Sequence, residues 1–294
     1  MKKKILFIVN PISGGKNKKR IPELIDKHLS KSKFEYRISF TERVEHGFML
    51  AKAAVKDGFE IVVAVGGDGT VNEVAKALIK TNVLLGIIPF GSGNGLARSL
   101  KIPLNISKAI LILNDLQSDI IDAASFNEDY FFNVAGTGFD AHISQSFATN
   151  KTRGLFGYVG ATFRELRRYK PSDYKINLDG IELHRKAFIL SIANSAQYGN
   201  GAYIAPRADV KDGLLDVIVV KPITWYSIPF AASKMFTKKV EHSEYVEIFQ
   251  ARKITIERDV EAPIHLDGEP KLGEKHISIE VIPLAIKVII PSYV

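Results

Sequence analysis

Three short apolar runs, residues 5–9, 61–65 and 84–88, each end in a glycine-rich turn, and this repetition constrains the fold more than any other feature. The turns read Asn10-Pro11-Ile12-Ser13-Gly14-Gly15-Lys16, Gly66-Gly67-Asp68-Gly69-Thr70-Val71-Asn72 and Pro89-Phe90-Gly91-Ser92-Gly93-Asn94. Between them the hydrophobic spacing predicts helices over 21–29, 47–57 and 71–79, with a further strand over 36–40. Continuous apolar strands alternating with amphipathic helices indicate a parallel sheet covered on both faces. In such a sheet the strand C-termini share one rim, where ligands bind. Glycines let backbone N–H groups approach a phosphate, and a following helix N-terminus adds a favourable dipole. Residues 1–120 therefore read as an α/β nucleotide-binding domain.

The loop design narrows the nucleotide chemistry. A P-loop needs Gly, four residues, then Gly-Lys-Ser/Thr; Gly14-Gly15-Lys16 is followed by Asn17 and has no earlier glycine at that spacing. Gly91-Ser92-Gly93-Asn94-Gly95-Leu96 falls one position short of the dinucleotide fingerprint, which argues against a plain dehydrogenase. Asp68 is the informative residue. A carboxylate among phosphate-cradling glycines repels phosphate unless a cation lies between, so it implies Mg²⁺ or a proton to be taken up. The alternative is a turn aspartate bonded to nearby backbone, or a cap on the helix of Val71.

After about residue 120 the pattern changes. Residues 126–134, 174–178, 181–193, 214–220, 253–257 and 277–288 are strand-like, and Asp179-Gly180 is a two-residue hairpin turn. Helical insertions fall near 156–169 and 225–240. Residues 121–294 read as an antiparallel β-sandwich domain packed closely on the first, with the destination of the last residues left open.

Charge and composition set the partners. Forty Lys and Arg against 32 Asp and Glu leave +8, which suits nucleic acid, a phosphorylated small molecule or an anionic membrane. The absence of cysteine removes disulfides, thiolate metal sites and a thiol nucleophile. Five apolar residues after Lys2-Lys3-Lys4 are too few for a secretory core of about 7–15. No run approaches the ~18–20 apolar residues of a membrane span. A cytoplasmic address is expected.

Taken together, Asn10-Pro-x-Ser-Gly-Gly, Gly66-Gly-Asp-Gly-Thr-Val-Asn-Glu, Pro89-Phe-Gly-Ser-Gly-Asn, Asp212-Gly-Leu-Leu-Asp and Leu266-Asp-Gly-Glu-Pro resemble the diacylglycerol kinase catalytic-domain family. The Gly-Gly-Asp-Gly-Thr signature alone is shared with NAD kinases and phosphofructokinases; all five in this order are far more specific. The resemblance covers the whole chain and implies an α/β nucleotide domain followed by a β-sandwich, with ATP and lipid meeting between them. It implies ATP contacts at Asn10, Gly14, Gly15, Lys16, Thr41, Gly66, Gly67, Asp68, Gly69, Thr70, Val71, Asn72 and Ser92. Thr41 rests on the weaker match Thr41-Glu42-x-x-x-His46-Gly47. Glu269 resembles the family's catalytic carboxylate, suited to accepting a hydroxyl proton. The proton acceptor stays open between Glu269 and Asp68. Asp209, Asp212 and the Leu214 carbonyl resemble a magnesium site away from the γ-phosphate, an oxygen set suited to a hard cation.

The activity so implied is Mg²⁺- and ATP-dependent phosphorylation of a lipid hydroxyl: diacylglycerol, a sphingoid base or a phosphatidylglycerol-like headgroup. Residues 156–169 and 225–240 combine aromatic and cationic side chains, as an interfacial segment does. The expected partners are thus a membrane lipid and an anionic bilayer reached peripherally at the inner membrane surface, and a homodimer is compatible with this. Other readings are an NAD kinase-like small-molecule kinase and a non-catalytic nucleotide or lipid sensor. Nucleic acid is disfavoured, because no zinc finger, RNP-type strand or helix-turn-helix is evident. The positive charge instead collects around the first glycine loop, where Lys16, Lys18, Lys19 and Arg20 lie, and beside the aromatic segments.

Overall fold

A computed structural model of the chain describes residues 2–15, 20–149, 165–166 and 168–292. These divide into two units, Met1–Ala123 with Ile282–Val294, and Ala124–Val281. The final residues thus return to the first unit.

In the first unit, strands β1 (Lys3–Val9), β2 (Phe34–Phe40), β3 (Ile61–Gly66) and β4 (Leu84–Pro89) lie in the order β2-β1-β3-β4, every pair parallel. The later part of the chain's last strand joins β4 in parallel, with Lys287 opposite Leu84 and Val288 opposite Leu85. Residues 5–9 and 61–65 are buried throughout, as strands with no solvent face must be. Helices α1 (Ile21–His28), α2 (His46–Lys56), α3 (Asp68–Leu78), α4 (Gly95–Ser99) and α5 (Ile106–Leu113) connect them. Helix α1 packs with α5, and α2 with α3. Right-handed crossovers in opposite directions from β1 put these pairs on opposite faces.

The second unit begins within β5 (Ser118–Phe126) and continues through β6 (Asp129–Phe131), β7 (Val134–Gly138) and helix α6 (Phe139–Thr149). Strands β8 (Ser172–Leu178), β9 (Ile181–Ala187), β10 (Ile189–Ala193), β11 (Gln197–Gly199), β12 (Ala202–Tyr203) and β13 (Leu215–Val220) follow. Helix α7 (Ile228–Phe236) then precedes β14 (Val246–Ala251), β15 (Lys253–Glu257), β16 (Ala262–Leu266), β17 (Glu269–Gly273) and β18 (His276–Ile289). One antiparallel sheet runs β14-β13-β10-β7-β16-β17. Strands β15, β8 and β9 with the first part of β18 form the other layer, again antiparallel. Between them Ile176, Ile254, Ile256, Ile277 and Ile279 meet Leu190, Ile192, Val217 and Leu266, so the unit is a β-sandwich. The outer face of the six-stranded sheet is also covered: Val134, Ile218 and Val220 pack with Phe139 and Ile143 of α6.

Two expected strands divide. Residues 126–134 break at Phe132 and Asn133, whose amides are bonded to Asp267 rather than to a ladder. Residues 181–193 break at Phe188, where the chain leaves the layer of β8 and β9 and enters the sheet of β7 and β13. The predicted Asp179-Gly180 turn is present, with Leu178 opposite Ile181. The helical insertion at 225–240 is α7 with its flanks, whereas the one at 156–169 lies almost wholly outside the described residues.

Candidate functional site

The register of the parallel sheet brings the predicted turns level. Val9 is opposite both Phe40 and Val65, and Gly66 is opposite Pro89. Thr41, the glycine turns and Asn10 therefore form one rim. Thr41 donates its N–H to the Val9 carbonyl at 2.9 Å and is buried. The strand order reverses between β1 and β3, the usual place for a ligand crevice in an open α/β sheet. Asn10 bridges that position: its Nδ2 donates to Thr70 Oγ1 at 3.1 Å while its Oδ1 accepts from Ile12 N–H at 3.0 Å. Loops one and three meet where Gly14 approaches the Phe90 carbonyl, and a Cβ there would collide with it. Loops two and three meet at Gly67 and Gly91, where a Cβ on Gly91 would lie 2.6 Å from Gly67 Cα. Side chains at these positions would push the three turns apart.

Asp68 opens α3, and both its oxygens are engaged. Oδ2 accepts from Asn94 N–H at 2.8 Å and Oδ1 from Gly95 N–H at 2.7 Å, so the carboxylate seals the start of α4. Asn94 adds its own clasp, accepting from Gly91 N–H at 2.9 Å and donating to the Gly91 carbonyl at 2.8 Å. Burial pushes the Asp68 carboxyl above its ordinary value, against the opposing pull of the Gly95 and Asn94 amides and the Arg98 charge. Glu73 repeats the device on another helix, accepting from Glu45 N–H and Gly47 N–H, both at 2.8 Å, at the start of α2. The acids of Gly66-Gly-Asp-Gly-Thr-Val-Asn-Glu thus hold neighbouring backbone in place. Thr70 and Val71 are buried, whereas Ser92 is exposed at the tip of the third turn. Lys16, the expected cationic contact, lies outside the described residues.

In the second unit Asp267-Gly268 is a two-residue turn between β16 and β17, with Leu266 opposite Glu269. Asp267 and Gly268 have φ of 50° and 88°, the paired left-handed conformation that Asp-Gly favours. Asp267 is only 7% exposed. Its carboxylate accepts from the N–H groups of Phe132 (3.0 Å), Asn133 (2.8 Å) and Val134 (3.2 Å). Glu269, two residues on, is exposed at the first position of β17.

Two further polar anchors fix this hairpin. At its open end Arg258 donates to the carbonyls of Ala262 (2.8 Å) and Gly273 (2.7 Å) and to Thr137 Oγ1 (2.7 Å). Midway along β16, His265 Nε2 lies 3.0 Å from Asp140 Oδ2. That oxygen also accepts from Tyr198 at 2.9 Å and Ser191 at 3.3 Å. Burial and the Asp140 charge push the Tyr198 hydroxyl well above its ordinary value, which keeps it a donor. Glu269 therefore projects from a hairpin held at its turn, its middle and its open end.

Asp209 and Asp212 lie in the exposed turns before β13. Asp209 Oδ1 accepts from Lys211 N–H at 3.1 Å and Asp212 Oδ1 from Leu214 N–H at 2.9 Å. By type, two carboxylates and the Leu214 carbonyl are the all-oxygen donors that would suit a hard cation such as Mg²⁺. Asp216, next along, is pushed up to about 6 by burial and by the Asp212 charge. Strand β13 begins on the same rim of the six-stranded sheet as β17, with β10, β7 and β16 between them. At ~4.8 Å per strand the turn is about 19 Å from Glu269, so these residues and Glu269 do not share a centre.

The comparisons with known proteins agree with this geometry. Residues 4–126 match the family described as the diacylglycerol kinase catalytic domain. Residues 133–290 match the YegS C-terminal NAD kinase beta sandwich-like domain. A Chromohalobacter salexigens protein named probable lipid kinase YegS-like is 31% identical over 234 residues, 78% of this chain and 75% of that protein. A protein of Staphylococcus aureus named diacylglycerol kinase is 26% identical over 289 residues, covering 95% of this chain and 91% of its own. A solved structure of a diacylglycerol kinase from Bacillus anthracis shares the fold, with a TM-score of 0.76 at 22% identity over 99% of this chain and 98% of that one. Glycine rim, acidic hairpin and relatives converge: the chain belongs to the diacylglycerol kinase family of lipid kinases, in its form with a YegS-type C-terminal sandwich.

Proposed function

We propose that this protein transfers the γ-phosphoryl group of ATP to a free hydroxyl of a membrane lipid, with Glu269 as the proton acceptor. One observation carries the choice of Glu269: both oxygens of Asp68 are taken by the Asn94 and Gly95 amides, whereas Glu269 is exposed on a clamped hairpin. In the reaction the acceptor hydroxyl gives its proton to the Glu269 carboxylate. Its oxygen bonds to the γ-phosphorus as the bond to the β–γ bridging oxygen breaks, and ADP leaves. The rim amides of Gly14, Gly15, Gly66, Gly67 and Gly69 bind the polyphosphate, with Asn10, Thr41, Thr70, Asn72 and Ser92 around it and Lys16 as the neighbouring cation. The backbone of Val71 belongs to this set; its side chain is core. Asp68 is a positioning residue that holds the third turn beside the second. Asp209, Asp212 and the Leu214 carbonyl are the residues that would hold Mg²⁺ in the second unit, where the ion would neutralise the charge of the turn before β13.

The acceptor is tested with γ-labelled ATP, Mg²⁺ and micelles of diacylglycerol, sphingosine or phosphatidylglycerol. NAD is included as a soluble acceptor, because the matched sandwich description also names NAD kinase. One lipid is expected to be labelled. Glu269→Gln is expected to lower turnover by about 10²–10⁴-fold with an unchanged melting temperature. Labelling of NAD alone, or of no lipid above the Glu269→Gln level, would reject the proposal.

A further inference from the structure

Helix α7 and the turn before it present apolar and cationic side chains that stay exposed among the described residues. Ile228 and Met235, seven residues apart, pack against the outer cluster of the sandwich. Phe230 and Lys234 lie on the opposite side, and Phe230 is 67% exposed. No residue of α7 is fully buried. Trp225 (48% exposed) and Tyr226 (68%) in the turn before the helix, and Phe236 (62%) at its last position, add three more exposed aromatic rings. A helix ordinarily turns its large apolar residues inward. Here they face both ways, and a cluster of exposed aromatics marks an interaction surface.

The charge pattern identifies what it meets. From Lys221 to Val240 the chain has no acidic residue and four lysines, Lys221, Lys234, Lys238 and Lys239. Lys221 is paired with Glu247 at 3.0 Å. Lys234 Nζ lies 5.2 Å from the Phe230 ring centroid and Lys238 Nζ 4.5 Å from that of Tyr203, so these cations stand among the aromatic rings. Trp and Tyr favour a boundary that is apolar below and wet above, and lysines at that level attract anionic headgroups. A second copy of the chain fits poorly, because a two-fold contact through this face would set the lysines of one copy against those of the other.

We propose that α7 with Trp225 and Tyr226 is the surface by which the protein docks on an anionic bilayer, its aromatic side chains entering the headgroup region and Lys234, Lys238 and Lys239 pairing with lipid phosphates. Among the described residues no helix is long and apolar enough to cross a membrane. Docking of this kind needs none. The assignment deepens the lipid-kinase reading and rests on it for its purpose, since a kinase acting on a bilayer lipid must hold its sandwich at the interface.

Trp225 is the only tryptophan in the chain, so its emission reports on this surface without a label. Titration with phosphatidylglycerol vesicles, without ATP, is expected to shift the emission to the blue; phosphatidylcholine vesicles should shift it much less, and high salt should reverse it. Lys238→Glu with Lys239→Glu should weaken vesicle binding by tenfold or more, at about 1 kcal/mol for each cation removed. Phe230→Ser should weaken it at every salt concentration. All these variants keep Trp225 and change exposed positions, and circular dichroism confirms their fold. No blue shift with anionic vesicles in the wild type would overturn the proposal. So would a blue shift that grows with protein concentration alone and tracks a dimer in sedimentation. Vesicle binding without phosphorylation of any lipid would fault the kinase reading and uphold the surface. Phosphorylation of a dispersed short-chain diacylglycerol without vesicle binding would overturn the surface and uphold the kinase.

Discussion

The glycine rim of the first unit and the Asp267-Gly268 hairpin of the second solve the same problem with different materials. Both must hold backbone and a few polar groups in a fixed arrangement at the end of a sheet. The rim does so by close approach, as Gly67 meets Gly91, and by carboxylates that grip the amides of neighbouring helices, Asp68 on α4 and Glu73 on α2. The hairpin uses enclosed polar groups: Asp267 gathers three amides, Arg258 three carbonyls and a hydroxyl, and Asp140 draws in His265, Tyr198 and Ser191. A rim that admits a polyphosphate must leave its own N–H groups available, so its acids serve at the flanks. A hairpin that presents one carboxylate can spend every other polar group on rigidity. In each motif the acid nearest the glycine is structural, and only Glu269 is exposed.

The sharpest break of this comparison is between Glu269 and Asp267, two residues apart. On the proposed mechanism Glu269→Gln removes the proton acceptor while keeping the side chain's size, so turnover should fall by about 10²–10⁴-fold while the urea midpoint stays put. Asp267→Ala should show the reverse order of causes. Losing the carboxylate leaves buried amides at Phe132, Asn133 and Val134 without their acceptor, a loss of about 3 kcal/mol read as a lower urea midpoint, with activity falling because the hairpin loosens. Equal loss of stability in both variants would show that Glu269 is also part of the clamp. Asp68→Asn should act more mildly. One amide oxygen can still accept, but the amide nitrogen faces an N–H donor, so about 1–2 kcal/mol is expected. Its kinetic signature should be a raised KM for ATP with kcat less affected. A kcat loss as large as that of Glu269→Gln, at unchanged KM, would make Asp68 the proton acceptor after all.

The rim was legible because its signals are local. Continuous apolar runs at 5–9, 61–65 and 84–88 and the glycines after them identify strand and turn without any distant partner. The same holds for Asp179-Gly180, a turn written in two residues. What holds the rim together was not legible. The partners of Asp68 lie 26 and 27 residues away on another turn, and a cap between two loops leaves no periodic trace. In the second unit Arg258 and His265 look like surface residues by type, yet 7% and 3% exposure places them inside, where only the finished sheet supplies their partners. The break at Phe188 was hidden for the opposite reason: an aromatic residue suits a strand, and nothing local says that the chain changes layers there. Helix α5 escaped because 106–113 is apolar almost all round, which erases the polar face that marks a helix.

The finest test of the comparison is the pH dependence of Asp68. In a rim whose acids are enclosed, burial outweighs the two amides and Arg98 and raises the carboxyl above 3.8 in the folded chain. The folded state then binds a proton more readily than the unfolded one. Between the raised value and 3.8 the unfolded state holds fewer protons, so stability increases as pH falls through that window and is lowest above it. The urea midpoint of the wild type minus that of Asp68→Asn should therefore move in favour of the wild type as the pH is lowered from neutral towards 3.8. The effect is the smallest of those expected, and its sign is what matters. A movement against the wild type would mean that the amides of Asn94 and Gly95 overcome burial and hold the carboxylate ionised, and Asp68 would then be the more strongly bound of the rim's two gripping acids.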